Sequence, residues 1–188
     1  MSLSRNQLID WLRTIDVTGK TVLDVGAGPR DKWAINWVKG EPKSYITVDI
    51  ELFPGIYSLF DLDSENSVDN AYDEAEYVFC LETLEHVSNP VLAAKHLSEM
   101  AEERLFVSVP FINPHHDKWD YLRFTGEWFE KVLKDVGFKE VIVKERVATA
   151  GLEDLKNFYR KEGLRVSKIR PEYGRYTYPI GYLVEARK

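Results

Sequence analysis

The stretch Thr21-Val22-Leu23-Asp24-Val25-Gly26-Ala27-Gly28-Pro29 constrains the fold of this chain more than any other. Thr21, Val22, Leu23 and Val25 form a short apolar run of the kind that suits a strand buried on both faces. The run ends in Gly26 and Gly28, which allow a sharp turn and leave no side chain between the backbone and a ligand. Asp31 follows where a helix would begin, a position that favours carboxylates. Strand, bare turn and helix start make a nucleotide-type site at the carboxyl end of a parallel sheet.

The side chains around the turn restrict which nucleotide fits. A dinucleotide fingerprint needs glycine at position 31, where this chain has Asp31, and a carboxylate there would repel a pyrophosphate. The Gly-Lys-Ser/Thr ending of a phosphate loop is missing. A nucleoside without phosphate fits better, and S-adenosylmethionine is such a ligand. Asp24-Val25-Gly26-Ala27-Gly28 resembles motif I of the class I S-adenosylmethionine-dependent methyltransferases, with Arg30 where many members carry a third glycine.

The rest of the chain supplies alternating elements around this turn. Leu8, Ile9, Leu12 and Ile15 recur at helical spacing within residues 3–16, with Trp11 adding an aromatic face. Residues 31–39 read as a further helix. Tyr45 to Asp49 reads as the second strand, and its final acid stands 21 positions after Gly28. At that position an α/β nucleotide site places a carboxylate for the ribose hydroxyls. Ile56 to Leu62 reads as strand three, residues 64–74 as a short helix or loop, and Ala75 to Leu81 as strand four. Asn89-Pro90 opens a helix that runs to Met100, and Arg104 to Pro110 is strand five. Thr125 starts a helix over Glu127–Val136 that ends at Gly137. Phe138–Val147 alternates as strand six, and Ile180–Ala186 closes the sheet.

The segment Glu82-Thr83-Leu84-Glu85-His86-Val87 between strand four and its helix is similar to motif IV of the type 11, ubiquinone-biosynthesis-like methyltransferases. His115, Asp120, Tyr121, Arg123, Phe124 and Thr125 match a loop common in that branch, with Lys118 where proline is usual. The resemblance spans about residues 20–145 and the last strand. It implies a Rossmann-like, doubly wound α/β fold: seven strands, mostly parallel with an antiparallel strand seven, and helices on both faces. It also implies S-adenosylmethionine as cofactor. Asp24 and the Gly26-Ala27-Gly28 backbone would serve the methionine portion, and Asp49 the ribose, with Ile50 beside it. Asp61 and Leu62 would hold the adenine, and Leu81 would lie next to the reactive end.

Methyl transfer is an in-line displacement, so the protein's task is orientation and electrostatics. His86, His115 and His116 are the candidate acid/base or positioning residues. Glu82, Glu85, His86 and His115 also resemble the metal site of small-RNA 3′-terminal 2′-O-methyltransferases. A divalent metal there would activate an acceptor hydroxyl. In the other reading Glu85 caps the following helix and His86 acts alone as a base. Asp120 and Arg123 are expected to pair and fix the loop.

Charge narrows the partners. Residues 1–138 carry 13 basic and 24 acidic side chains, and residues 139–188 carry 12 and 7. The acidic body argues against nucleic acid and for a small-molecule acceptor, although the basic, tyrosine-rich tail could attract an anion. A metal-assisted RNA 2′-O-methyltransferase and a non-catalytic cofactor-binding protein remain the alternatives. No apolar run approaches the roughly 18 residues of a membrane span, and Met-Ser-Leu-Ser-Arg-Asn lacks a signal-peptide core. The single cysteine, Cys80, excludes an internal disulfide. A soluble cytoplasmic protein is expected. The 188 residues are read as one domain, with 148–178 an insert over the acceptor pocket and a helix at 151–162.

Overall fold

The computed structural model describes residues 3–65, 74–112, 119–150 and 176–188. Strand β1 (Thr21–Val25) is flanked on both sides, as its unbroken apolar run demands. It pairs in parallel with β2 (Ser44–Asp49) and with β4 (Ala75–Leu81). Outside β2 lies the two-residue β3 (Ser58–Leu59), and β5 (Ala101–Pro110) follows β4, both parallel. The last strand, β7 (Tyr176–Arg187), inserts antiparallel between β5 and β6 (Glu140–Ala150). The order β3-β2-β1-β4-β5-β7-β6 reverses direction between β1 and β4. A crevice therefore opens outside the carboxyl ends of those two strands.

Successive residues along each strand face opposite layers. Leu23, Val25, Val78, Cys80, Leu105 and Val107 pack under α2 (Pro90–Met100) and α3 (Gly126–Asp135), against Leu97, Phe129 and Leu133. Val22, Tyr77, Phe79, Phe106 and Leu183 face the other way, onto Leu8, Trp11 and Leu12 of α1 (Leu3–Leu12). Phe79 and Phe106 stack at 4.8 Å between ring centroids, and Trp11 meets Phe106 edge-on. The amide of Gln7 clamps α1 to β6, donating to the Val147 carbonyl (2.7 Å) and accepting from the Val147 N–H (2.8 Å). That is where the β6–β7 register shifts. The seven-stranded doubly wound sheet with helices on both faces is thus the one the motifs imply.

Both helix starts marked in the sequence are capped, and the cap of α2 is Asn89 rather than Glu85, whose carboxyl oxygens have no hydrogen-bond partner. The Asn89 side chain accepts from Leu92 N–H at α2, and Thr125 accepts from Trp128 N–H at α3. Gly137 ends α3 at φ 111°.

Three expectations are corrected. Residues 31–39 are not one helix but two short 3-10 turns, Arg30–Lys32 and Ala34–Asn36, broken at Trp33 with ψ 142°. The Asp24 carboxylate takes the Ala34 N–H (2.9 Å) that a continuous helix would direct to the Arg30 carbonyl. The Asn36 side chain takes that carbonyl instead (2.7 Å). Strand three shrinks from Ile56–Leu62 to Ser58–Leu59, because Asp61 folds back to accept from Asp63 N–H (2.8 Å). Strand six starts at Glu140 rather than Phe138, whose N–H closes the end of α3 on the Leu133 carbonyl (3.0 Å). The helix expected at 151–162, most of 64–74, and both His115 and His116 lie outside the described residues. Among the described residues, no helix is long and apolar enough to cross a membrane.

Candidate functional site

The glycine turn sits at the mouth of the crevice. Gly26 (φ 69°) donates its N–H to the Val48 carbonyl at 2.8 Å, which ties the turn to β2. A Cβ on Gly26 would stand 2.4 Å from Thr83 Cγ2, so glycine is required by space as well as by backbone angle. Gly28 (φ 61°) donates to Asp49 Oδ2 at 2.8 Å, and Asp49 Oδ1 accepts from Glu51 N–H at 2.9 Å. The 21-residue spacing seen in the sequence is therefore a direct contact between the turn and the acid closing β2. Asp49 is buried, and its carboxylate keeps lone pairs beyond those two bonds.

Asp24 lies beneath the turn, 2% exposed, accepting from Ala34 N–H and from the Tyr45 hydroxyl. Burial pushes its carboxyl up to about 6, the Tyr45 and Ala34 hydrogen bonds hold it down, and the Asp49 charge adds to the rise. Burial and the Asp24 charge push the Tyr45 phenol up, so it stays a donor. Ala27 is buried against Trp33 and Ile56, while Ile50 is 66% exposed on the rim.

Two chambers meet here. The first, of about 270 Å³, runs from Asp49, Ile50 and Phe53 past Asp61 and Leu62 to Thr83 and Trp119. The second, of about 300 Å³, lies beneath Arg5, Leu8, Ile9 and Leu12 of α1, with Asp24, Ala27, Trp37 and Leu81. Gly26, Gly28, Lys32, Glu82 and His86 border both. The 61–63 segment is pinned from two sides. Asp63 accepts from Ser88 N–H (2.7 Å) and Asn89 N–H (2.8 Å), and buried His96 Nδ1 lies 3.2 Å from the Leu62 carbonyl.

The Leu-Glu-His-Val segment has an arrangement its sequence does not disclose. Glu82 takes a positive φ of 51°, sparsely populated for a side-chain-bearing residue and common at functional sites. Its Oε1 accepts from Ser108 Oγ (2.8 Å) and from Arg146 Nη2 (2.8 Å). Arg146 is 1% exposed, also donates to the Val109 carbonyl, and lies over Gly181.

Glu85 is 0% exposed, and neither carboxyl oxygen has a hydrogen-bond partner. Burial pushes its carboxyl up to about 8, helped by the charges of Glu82 and Asp120 and opposed by its own backbone N–H and by Arg146. Its carbonyl accepts from Tyr121 N–H (2.9 Å) and Leu122 N–H (3.1 Å), anchoring the following loop. His86 Nδ1 lies 3.2 Å from the Trp119 carbonyl, which can only accept, so that nitrogen carries the hydrogen and Nε2 is the basic one. Nε2 is 3.8 Å from Glu85 Oε1. Asp120 and Arg123 form the expected bidentate ion pair.

The turn, Asp24, Asp49, Ile50, Asp61, Leu62, Leu81, Glu82 and His86 are thus brought together around the two chambers. Glu85 is not, being sealed behind them. The described donors fit a divalent metal poorly. Glu82 already faces a guanidinium, and among the described residues no group of three acidic, histidine or cysteine side chains is arranged to hold a cation. His115, the fourth ligand of that reading, lies outside the described residues. The sequence reading missed Arg146, Ser108, Tyr45 and Lys32. Arg146 left no distinct signal, since Lys139, Glu140, Lys144 and Glu145 put other charges in the same run.

A nucleoside-sized chamber, a bare turn and a buried acid at the tip of the second strand, all on a seven-stranded doubly wound sheet, define a class I S-adenosylmethionine-dependent methyltransferase. Residues 4–156 match the model of the methyltransferase domain, and the chain belongs to that family of enzymes. No curated protein matches the chain significantly. Many solved structures share its fold, three of which illustrate the range. YcgJ of Bacillus subtilis is 10% identical, with 98% of each chain covered and a TM-score of 0.63. A SAM-dependent methyltransferase of Archaeoglobus fulgidus is 16% identical, covering 98% of this chain and 94% of its own, with a TM-score of 0.61. Magnesium protoporphyrin IX methyltransferase of Synechocystis PCC 6803, solved with bound SAM, is 17% identical, covering 97% and 77%, with a TM-score of 0.54.

Proposed function

We propose that this chain transfers a methyl group from S-adenosylmethionine to an oxygen or nitrogen of a small-molecule acceptor. The observation that carries the proposal is the meeting of the two chambers at Gly26, Gly28, Glu82 and His86. The first chamber suits the nucleoside: Asp49 accepts from the ribose hydroxyls, Asp61 and the Leu62 backbone meet the adenine, and Ile50 and Phe53 cover it. Gly26-Ala27-Gly28 and Asp24 underlie the methionine portion, and Leu81 flanks the reactive end. The second chamber, walled by Leu8, Ile9, Leu12 and Trp37, takes an apolar acceptor body.

The cofactor, when bound, supplies an electrophilic methyl group. His86 Nε2 at the junction is the proton acceptor for the acceptor's O–H or N–H, held in the right tautomer by the Trp119 carbonyl. The Leu84-Glu85-His86-Val87 segment favours the ubiquinone-biosynthesis-like branch. The whole chain, 1–188, is read as one domain, and the insert expected over the acceptor side is narrowed from 148–178 to 151–175, because residues 148–150 and 176–178 pair as the ends of β6 and β7. His115 and His116, outside the described residues, are kept as further candidate acid/base residues.

The test is transfer of labelled methyl to a panel of small phenols, carboxylic acids and amines, by the wild type and His86→Ala. Turnover that falls about 100-fold or more in the variant, with S-adenosylhomocysteine affinity kept, supports the reading. Turnover undiminished in the variant, or no turnover across the panel, refutes it.

A further inference from the structure

Arg146 carries a cost that packing alone does not explain. It is 1% exposed, and its Nε is buried without a hydrogen-bond partner. Taking a guanidinium out of water is expensive even when it is paired, and an apolar side chain of similar volume often serves stability as well or better. The backbone is nevertheless shaped around it. The register of β6 against β7 shifts between Arg146 and Val147, an irregularity of the kind that re-aims a side chain. Gly181 leaves the space that the guanidinium fills. Among the described residues its ion-pair partner is Glu82, which itself holds a positive φ. These costs converge on one carboxylate. Glu82 Oε1 accepts from Arg146 Nη2 and from Ser108 Oγ, each at 2.8 Å, so both its lone pairs are taken. Oε2 has no hydrogen-bond partner among the described residues, and unlike the oxygens of Glu85 it is not sealed from solvent. Glu82 borders both chambers, as does His86. One fixed, open oxygen therefore stands at the junction, and a carboxylate oxygen can only accept.

We infer that Glu82 Oε2 binds a second O–H or N–H of the methyl acceptor, separate from the group that is methylated. The inference rests on the methyl-transfer reading proposed above, in which His86 Nε2 takes the hydrogen of the reacting group. Two hydrogen-accepting atoms at one junction call for a molecule with two polar donors, such as an aminophenol, a diol or an amino alcohol. A molecule with a single donor would fill the junction and leave Oε2 dry and unpaired, the arrangement that a site built around a hydrogen bond rejects most strongly. Arg146 and Ser108 fix Oε1 and so leave Oε2 to the methyl acceptor.

Glu82→Gln tests this with little disturbance of the fold. The amide oxygen faces the same two donors, Arg146 and Ser108, so the amide NH2 takes the place of Oε2 and turns a hydrogen-accepting atom into a donor. The probes are phenols and amines in matched pairs, one member with a second hydroxyl or amino group and the other with methoxy in its place, which accepts but cannot donate. Labelled-methyl transfer by the wild type and Glu82→Gln gives kcat/KM for each member, and calorimetry gives the affinity of both proteins for S-adenosylhomocysteine. The wild type should favour the donor-bearing member of its best pair by about tenfold or more, as for a hydrogen bond to a charged group. Glu82→Gln should abolish or reverse that preference, with S-adenosylhomocysteine affinity kept within about threefold. A wild type without the preference would overturn the inference, whatever the variant does. So would an unchanged preference in Glu82→Gln, or a loss of rate shared equally by both members, which would make Glu82 a structural support. In each of those cases methyl transfer itself persists and the reading beneath it stands. No transfer by folded wild type to any member of any pair would bring down the methyl-transfer reading and this inference with it.

Discussion

Replacing Glu85 by glutamine should make the protein more stable, and only above a definite pH. Glu85 is fully buried with no hydrogen-bond partner for either oxygen, and its carboxyl is pushed from the ordinary 4.5 up to about 8 by burial first and by the charges of Glu82 and Asp120 next. The folded protein therefore holds a proton that the unfolded chain releases. Below about pH 4.5 both states are protonated and Glu85 has no effect. Stability is lost as the pH rises towards 8, and the full cost is present above it. At about 1.4 kcal/mol per pH unit the ceiling is about 5 kcal/mol, and solvent relaxation around the ionised group lowers it. Glutamine has nearly the shape of the protonated acid and no charge to release. Wild type and Glu85→Gln should thus be nearly equally stable at pH 5, with the variant ahead by roughly 2–5 kcal/mol at pH 9. For a chain of this size that is a gain of about 5 °C or more in melting temperature. Urea denaturation of both proteins at pH 5, 7 and 9 measures the difference, from which the slope contributed by other groups such as Asp24 cancels. A difference that does not change between pH 5 and 9 would refute the reasoning.

Gly181→Ala should place a Cβ 2.4 Å from Arg146 Nη2 and 2.5 Å from Nε, displacing a buried guanidinium that holds half-buried Glu82. We expect about 3 kcal/mol of destabilisation in chemical denaturation, and less than about 1 kcal/mol would show that Arg146 does not depend on that gap. Tyr45→Phe should remove a donor from Asp24, raise the Asp24 carboxyl further, and cost about 1–3 kcal/mol at pH 8 but less at pH 5. An equal cost at both pH values, again in urea, would contradict that.

The sheet was legible because its signals are local. An apolar run before glycines marks β1, alternation marks β6, and Asn89 and Thr125 mark helix starts. The acid that closes β2 against the glycine turn was legible for the same reason, since strand, turn and strand fix its spacing from Gly28. What stayed hidden depends on contacts between distant positions. Asp24 breaks the predicted helix at 31–39 by capturing Ala34 N–H, a competition that periodicity cannot register. Glu82 and Arg146 stand 64 positions apart and meet only because β7 inserts between β5 and β6 and offers Gly181 as space. Glu85 and His86 are neighbours in sequence, yet one is sealed in the core and the other borders both chambers. No residue type announces that difference, and it separates a candidate base from a buried acid.

The account's central claim is that the crevice beside Gly28 and Asp49 is a cofactor site, and calorimetric titration with S-adenosylhomocysteine tests it most directly. The Asp49 carboxylate both orders the turn, through Gly28 N–H, and would accept from the ribose. Asp49→Ala should therefore lose about 100-fold or more in affinity while remaining folded by circular dichroism. Binding to the wild type that vanishes in Asp49→Ala is the result predicted. Equal binding by both proteins, or none by folded wild type, would contradict the claim.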